Sequence, residues 1–258
     1  MLHYEISGNG KKPLVLLHGF MEDHTIWSDM ESHFSKEFTL IKIDLSGHGK
    51  SENNNAVNSM DFMAEKVKEV IEKLNLNKIN ILGHSMGGYV SLAFAEKFPE
   101  FLESLTLFFS TTLADDEEKK QIRRRSIAVI DENFETFVNT SIPNLFSNNE
   151  KDILEGKIEL AKKIAKSTNK EGVKAAQLGM AERPDRTEIL EKLEAKILII
   201  AGKYDNAVKT ENLLKALPDK TNIKTYVLDC GHCGHWEKPT ICAEIINTEL
   251  LHNLPKKL

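Results

Sequence analysis

The sequence predicts an α/β fold, with a mostly parallel central sheet and helices on both faces. Short continuous apolar runs, of the kind strands buried on both faces show, alternate along the chain with stretches of helical period. One such run, Ile79–Leu82, passes through Gly83-His84-Ser85-Met86-Gly87-Gly88 directly into a helical pattern. The alternation stops at Thr111 and resumes only near Lys196, with helical patterns alone between them. A sheet domain formed by residues 1–111 and 195–258 is therefore expected, with a helical cap of residues 112–194 inserted after the sixth strand.

The elements follow in order. Leu2–Ile6 alternates weakly as a strand and ends at the turn cluster Ser7-Gly8-Asn9-Gly10. Leu14–Leu17 is a buried strand ending at His18-Gly19-Phe20, and Trp27–Phe34 a short helix. Phe38–Ile43 is the next strand, ending at Asp44 and the turn Leu45-Ser46-Gly47-His48-Gly49-Lys50-Ser51. Between Ser59 and Leu74 the residues Met63, Val67, Val70, Ile71 and Leu74 share one helical face. Leu105–Phe109 is a strand. Asp115-Asp116-Glu117-Glu118 then makes an acidic first helical turn, favourable to the helix dipole, leading to a helix through Ile130. Further helical patterns cover Asn133–Asn139, Asp152–Ala165 and Lys170–Ala181. Strand Lys196–Gly202, helix Thr210–Leu217, strand Asn222–Leu228 and helix Thr240–Leu251 complete the chain.

Composition narrows the function classes. A length of 258 residues, 41% hydrophobic and 28% charged, suits one globular α/β domain with an insert. A formal net charge of -5 gives no reason to expect nucleic acid or an anionic membrane as partner. Met1-Leu2-His3-Tyr4-Glu5 lacks the basic-then-apolar pattern of a signal peptide, and no apolar stretch approaches the ~18–20 residues of a membrane span. Cys230, Cys233 and Cys242 lie close together and cannot all pair, which suits a reducing compartment; a cytoplasmic location is expected.

Gly83-x-Ser85-x-Gly87 carries the chemistry. A serine on a very tight strand-to-helix turn holds its hydroxyl clear of the sheet, and glycines two positions away let the backbone pass close by. The helix beginning after the serine can stabilise an anion at that point. A serine hydroxyl is a poor nucleophile at neutral pH; it needs a base, and the base needs an orienting acid. Such partners lie just past strand ends, because ligands of open α/β sheets bind at the carboxyl edge. Asp205 follows one strand, in Gly202-Lys203-Tyr204-Asp205. His232 follows the next, in Gly231-His232-Cys233-Gly234-His235-Trp236-Glu237-Lys238-Pro239, where His235 also follows a glycine. Ser85, Asp205, His232 is the nucleophile–acid–base order of enzymes built on this turn.

With these pieces in place the chain resembles a capped α/β-hydrolase of the serine esterase branch, over essentially its whole length. The resemblance rests on His18-Gly19-Phe20, Asp44-x-x-Gly47-x-Gly49-x-Ser51, Gly83-His84-Ser85-Met86-Gly87-Gly88, Gly202-x-x-Asp205 and Gly231-His232…Glu237-x-Pro239; Ser46 stands where the family often has proline. It selects His232 over His235, because the family's base precedes the Glu of Glu-x-Pro by five residues. It nominates the backbone amides of Met86 and of Phe20, the latter just after the third strand, as the oxyanion hole. It implies hydrolysis of a small ester-like substrate without cofactor or metal. The activity should fall as pH drops through about 6–7, where a histidine base becomes protonated.

Several features admit a second interpretation. Cys230, His232, Cys233 and His235 have metal-ligand spacings, but with no second ligand cluster elsewhere the cysteines read as small apolar packing residues. His18, His48 and His84 read as turn residues that satisfy local backbone groups. All five arginines, Arg123, Arg124, Arg125, Arg183 and Arg186, fall in the insert; the first three are consecutive, so at most one or two can face a pocket. Phe20, Phe134, Phe137, Phe146 and Met180 are candidate substrate contacts, and Leu178 packs the lid with them. The resemblance extends to carbon–carbon bond hydrolases, cofactor-free haloperoxidases and the pyruvate-eliminating synthase of menaquinone synthesis. The last carries arginine where this chain has Tyr89. Aspartate-nucleophile relatives, the epoxide hydrolases and haloalkane dehalogenases, are set aside because position 85 is serine. Butenolide hormone receptors, which keep the triad as ligand-binding signalling proteins, are the non-enzymatic alternative.

Overall fold

The computed structural model describes residues 1–251. Seven strands form one sheet: β1 (Tyr4–Ser7), β2 (Lys12–Leu17), β3 (Phe38–Ile43), β4 (Ile79–His84), β5 (Leu102–Phe108), β6 (Lys196–Gly202) and β7 (Ile223–Leu228). Their spatial order is β1-β3-β2-β4-β5-β6-β7, with β1 antiparallel to β3 and every other neighbouring pair parallel. The chain runs outward from β2 to β3 on one side and from β4 to β5 on the other. The strand order therefore reverses between the parallel neighbours β2 and β4, and the crevice beyond their carboxyl ends is where such sheets bind ligands. Leu17 pairs with Gly83, so the loops carrying Phe20 and Ser85 leave adjacent strand ends. Gly202 pairs with Leu228, which does the same for Asp205 and His232.

The helices are α1 (Ser28–Glu31), α2 (Met60–Lys73), α3 (Met86–Lys97), α4 (Glu117–Ser141), α5 (Glu155–Ser167), α6 (Lys170–Glu182), α7 (Thr187–Lys192), α8 (Thr210–Ala216), α9 (Gly234–Glu237) and α10 (Pro239–Leu251). Alternate residues of each strand feed two cores. Val15, Leu17, Ile41 and Ile81 face the cluster that buries α2 and α3, while Leu14, Leu16, Leu40 and Leu82 face Trp27, Phe108, Phe146 and α10. The apolar face expected between Ser59 and Leu74 is the buried face of α2, capped by Ser59 accepting the Phe62 amide at 3.1 Å. Asp44 explains its own motif: its carboxylate accepts the amides of His24 (2.7 Å) and Lys50 (2.9 Å), and a Cβ at Gly49 would strike it.

Helices α4–α7 lie between β5 and β6, so the insert follows the fifth strand rather than the sixth. Only five strands precede Thr111, and the loop carrying Phe20 accordingly follows the second strand, not the third. The helix ending at Ile130 and the pattern over Asn133–Asn139 merge into one element broken at Asn133 (φ -154, ψ 85), whose side chain accepts the Thr136 amide and caps the second half. Helix α6 docks directly on the sheet domain's backbone: a Cβ at Gly172 would meet Gly47 O at 2.1 Å, and one at Gly179 would meet Asn58 O at 1.8 Å. Arg186 adds ion pairs to Asp61 (2.7 Å) and Glu96 (2.8 Å) on α2 and α3.

Candidate active site

Ser85 sits between the last residue of β4 and the first of α3 with φ 50 and ψ -113, a sparsely populated conformation for a residue with a Cβ. The turn holds because its neighbours have no side chains. A Cβ on Gly83 would lie 2.2 Å from Gly87 O, and one on Gly87 would lie 2.4 Å from Leu17 O. The Ser85 amide donates to Phe108 O at 3.0 Å, and the Ser110 hydroxyl donates to Ser85 O at 2.8 Å. Gly83→Ala should consequently cost about 2–3 kcal/mol, read in a thermal melt as a fall of about 5–10 °C in Tm. An unchanged Tm would show that the turn can relax away from this geometry.

Asp205 and His232 meet as expected. Asp205 Oδ2 is 2.7 Å from His232 Nδ1, both side chains are buried, and Oδ1 accepts the amides of Ala207 and Val208, each at 2.8 Å. The His232 loop is anchored from two sides. Its own amide donates to Leu145 O of the helical insert at 2.7 Å. Glu237 accepts the amides of Gly231 (2.8 Å), Cys233 (3.2 Å) and Ser147 (3.2 Å), which is what the Glu-x-Pro motif does here. Burial pushes the Glu237 carboxyl up against the pull of those amides.

Ser85 and His232 line one cavity of about 600 Å³ between the sheet edge and the insert. Among the five candidate contacts, Phe20, Phe137 and Met180 line it. Phe146 and Phe134 do not. Phe146 is fully buried and stacks on Trp236 (centroids 5.9 Å apart, planes 7° apart), and Phe134 packs against the same core. Asp205 lies behind His232, and the Met86 side chain points into the core.

Residues 12–239 match the family described as alpha/beta hydrolase fold. The chain belongs to that family. This alpha/beta hydrolase is 27% identical over 249 residues to the 2-hydroxy-6-oxononadienedioate/2-hydroxy-6-oxononatrienedioate hydrolase of Escherichia coli (strain K12), covering 92% of this chain and 86% of that one. It superposes with a TM-score of 0.90 and 33% identity on a thermophilic esterase from Thermogutta terrifontis solved with malate bound, covering 97% and 93% of the two chains. The enol-lactonase of Burkholderia xenovorans LB400 shares the fold at TM-score 0.88 and 20% identity, covering 97% and 96%.

One of the three consecutive arginines faces the cavity, within the one or two that helical geometry allows. Of the arginines, Arg123 and Arg183 line it, Arg124 and Arg125 are exposed, and Arg186 serves the ion pairs above. Buried Asp115 bridges the first two: Arg183 Nη2 donates to its Oδ1 at 2.9 Å and Arg123 Nε to its Oδ2. Burial opposes the Asp115 charge, but the two guanidiniums prevail and hold its carboxyl below the usual range. Arg183 also lies over the Tyr89 ring, 3.9 Å from its centroid. Of the histidines taken as turn residues, His18 bonds Gly19 O and the Leu45 amide and His48 lies 3.2 Å from Ser46 O. His84 differs: it bonds the Glu22 carboxylate at 2.8 Å and His232 O at 3.0 Å. The three cysteines are free and buried, and burial pushes their thiols up. No helix among the described residues is long and apolar enough to cross a membrane.

Proposed function

We propose that the protein is a serine hydrolase cleaving small carboxylic esters through an acyl-enzyme. Ser85 Oγ attacks the carbonyl carbon; His232 Nε2 takes the hydroxyl proton and passes it to the leaving alcohol. Water then releases the acyl group by the same route, with His232 again as base. Asp205 holds the Nδ1–H of the imidazole and offsets its transient charge. The observation that carries this reading is the 2.7 Å Asp205–His232 bond together with the shared cavity of His232 and Ser85. The Met86 amide, at the start of α3, and the Phe20 amide are the proposed oxyanion donors; the intervening Gly19 amide is engaged by Glu22 at 2.6 Å. Phe20, Phe137 and Met180 form the apolar acyl wall, and residues 112–194 act as a cap over it. In the proposed sheet domain, residues 252–258 lie outside the described residues. The substrate is a small molecule, and the three free cysteines suit the cytoplasm.

A carbon–carbon bond hydrolase is the second reading. The E. coli relatives named for hydrolysis of a dienedioate favour it, as do two guanidiniums in the cavity, although Asp115 already engages both. The menaquinone-pathway synthase is a weaker alternative, because Arg183 reaches the Tyr89 ring but is paired. A panel of short p-nitrophenyl esters, thioesters, lactones and vinylogous 1,5-diketones separates these readings. Steady turnover of neutral esters, with kcat/KM at least tenfold above that for the diketones, is expected. The reverse ratio would establish carbon–carbon cleavage. A single burst followed by partner binding through residues 112–194 would indicate a signalling protein.

A further inference from the structure

Three buried ionisable groups take no part in the chemistry above: Glu22 and His84, which line the floor of the same cavity, and His235, which lies behind them. Glu22 belongs to the loop after β2 that carries Phe20. His84 is the last residue of β4 and precedes Ser85. One oxygen of Glu22, Oε2, accepts the Gly19 amide at 2.6 Å and faces His84 Nδ1 at 2.8 Å. The other His84 nitrogen, Nε2, faces the backbone carbonyl of His232 at 3.0 Å.

Both partners of His84 are acceptors. A carbonyl oxygen cannot donate and an ionised carboxylate has no proton to give, so with Glu22 ionised both ring nitrogens carry protons and His84 is an imidazolium. The surrounding charges agree. Burial opposes ionisation of both groups, yet the charge of His84 and its hydrogen bond to Glu22 hold the Glu22 carboxyl at about 2. Burial likewise disfavours the His84 cation, and Glu22 and Asp205 overcome it, raising its pKa. His235, with ring centroids 4.6 Å from His84, is driven well down by burial and by that cation, and is neutral. Its Nε2 stands 3.8 Å from Glu22 Oε1.

We propose that the Glu22–His84 ion pair is a positioning device that locks the Phe20 loop and the His232 loop to the strand carrying Ser85. The chain of bonds runs from the Gly19 amide through Glu22 and His84 to the His232 carbonyl, and so ties two loops to the end of β4. The pair also sets a fixed cation beside the proposed base, the His84 and His232 ring centroids being 5.1 Å apart. The groups facing His232 are Asp205 through its Nδ1, His84, and neutral His235 on its own loop; Glu22 lies beyond His84. The inference rests on the serine-hydrolase reading.

Glu22→Gln tests it. The amide oxygen can accept from both Gly19 and His84 Nδ1–H, but without the Glu22 counter-ion His84 loses its charge and has only one N–H for two acceptors, so at least one of the three bonds is lost. Loops displaced by a fraction of an ångström should lower kcat on a p-nitrophenyl ester by about 10–100-fold, with KM changed less than twofold. The acid limb of the pH profile should move to higher pH. Without the Glu22 carboxylate His84 gives up its proton, and loss of that nearer positive charge while Asp205 stays favours protonated His232. Glu22→Asp, which retains the charge, should recover part of kcat and return the limb.

A Glu22→Gln enzyme with kcat within twofold and an unmoved limb overturns the proposal, whatever its Tm; a purely structural role predicts that result. If Glu22→Gln does not fold, His84→Asn is read by the same criteria. In the unaltered protein, nitrogen NMR of labelled histidine at pH 7 should show both His84 nitrogens protonated, and a neutral ring overturns the proposal. So does one equivalent of zinc in the purified protein, since Glu22, His84 and His235 bring ligand atoms within 4.8 Å of one another and a metal would replace the Nδ1 proton. Failure of the serine reading looks different: Ser85→Ala would then keep its activity.

Discussion

Replacing Ser85 by alanine is expected to lower kcat on a short p-nitrophenyl ester by about 10⁴–10⁶-fold, with the protein still folded. The loss is large because in the proposed reaction the hydroxyl oxygen is the bond-forming atom. Residual hydrolysis, about 10³-fold over water, should survive through the backbone donors. Adding His232→Ala to Ser85→Ala should cost almost nothing further, because a base without its nucleophile has no proton to remove. Full activity in Ser85→Ala would end the proposed serine-nucleophile reading. The same position carries a stability test. Ser85 adopts φ 50, and alanine would inherit that strain whereas glycine would not. Ser85→Gly should therefore melt above Ser85→Ala by roughly 1 kcal/mol, equivalent to about 2–4 °C in Tm.

The parts of this molecule that were legible in its sequence share a physical cause: each is set by local backbone geometry. Gly83 and Gly87 are dictated by contacts within one turn and with the neighbouring strand end, and a pattern of five residues records them. Asp205 and His232 were legible because parallel strands bring their carboxyl ends to one edge, whatever the loops contain. The interior of the insert was not. Phe134, Phe137 and Phe146 are equally apolar, and only tertiary packing decides that Phe146 stacks under Trp236 while Phe137 reaches the cavity. The break at Asn133 was visible as an interruption of helical period, because an Asx cap is a local signal. Asp115 could be read as a helix-dipole residue from its neighbours; its bridging of Arg123 and Arg183 depends on α4 and the α6–α7 turn meeting, which no spacing encodes. Glu22 and His84 lie 62 positions apart and were invisible for the same reason. His84 had a bland local explanation, and its partner belonged to a different loop.

Asp205→Asn should be nearly as damaging as loss of the serine, and the hydrogen bonds around it say why. Oδ1 accepts two backbone amides, from Ala207 and Val208, and Oδ2 faces His232 Nδ1. An asparagine has one oxygen and one NH₂ to distribute. Two donors hold the Oδ1 position, so the amide oxygen must stay there and the NH₂ must turn to His232. Nδ1 then becomes an acceptor, and the proton of a neutral imidazole moves to Nε2, the nitrogen that takes the Ser85 proton in the proposed reaction. The variant keeps its shape and its cavity but presents a base already protonated at the working atom. A drop in kcat of about 10⁴-fold is expected near neutral pH, with KM little changed and the fold intact by circular dichroism. The loss should shrink at high pH, where hydroxide replaces the imidazole as base. Asp205→Ala makes a useful contrast, because it frees the ring to choose its tautomer while abandoning two buried amides. It should lose stability that Asp205→Asn retains, by about 1–3 kcal/mol, while its kcat need not fall below that of the asparagine variant. If Asp205→Asn kept more than a tenth of the activity, the Asp205–His232 contact would be a packing feature, and the proton would have to pass elsewhere.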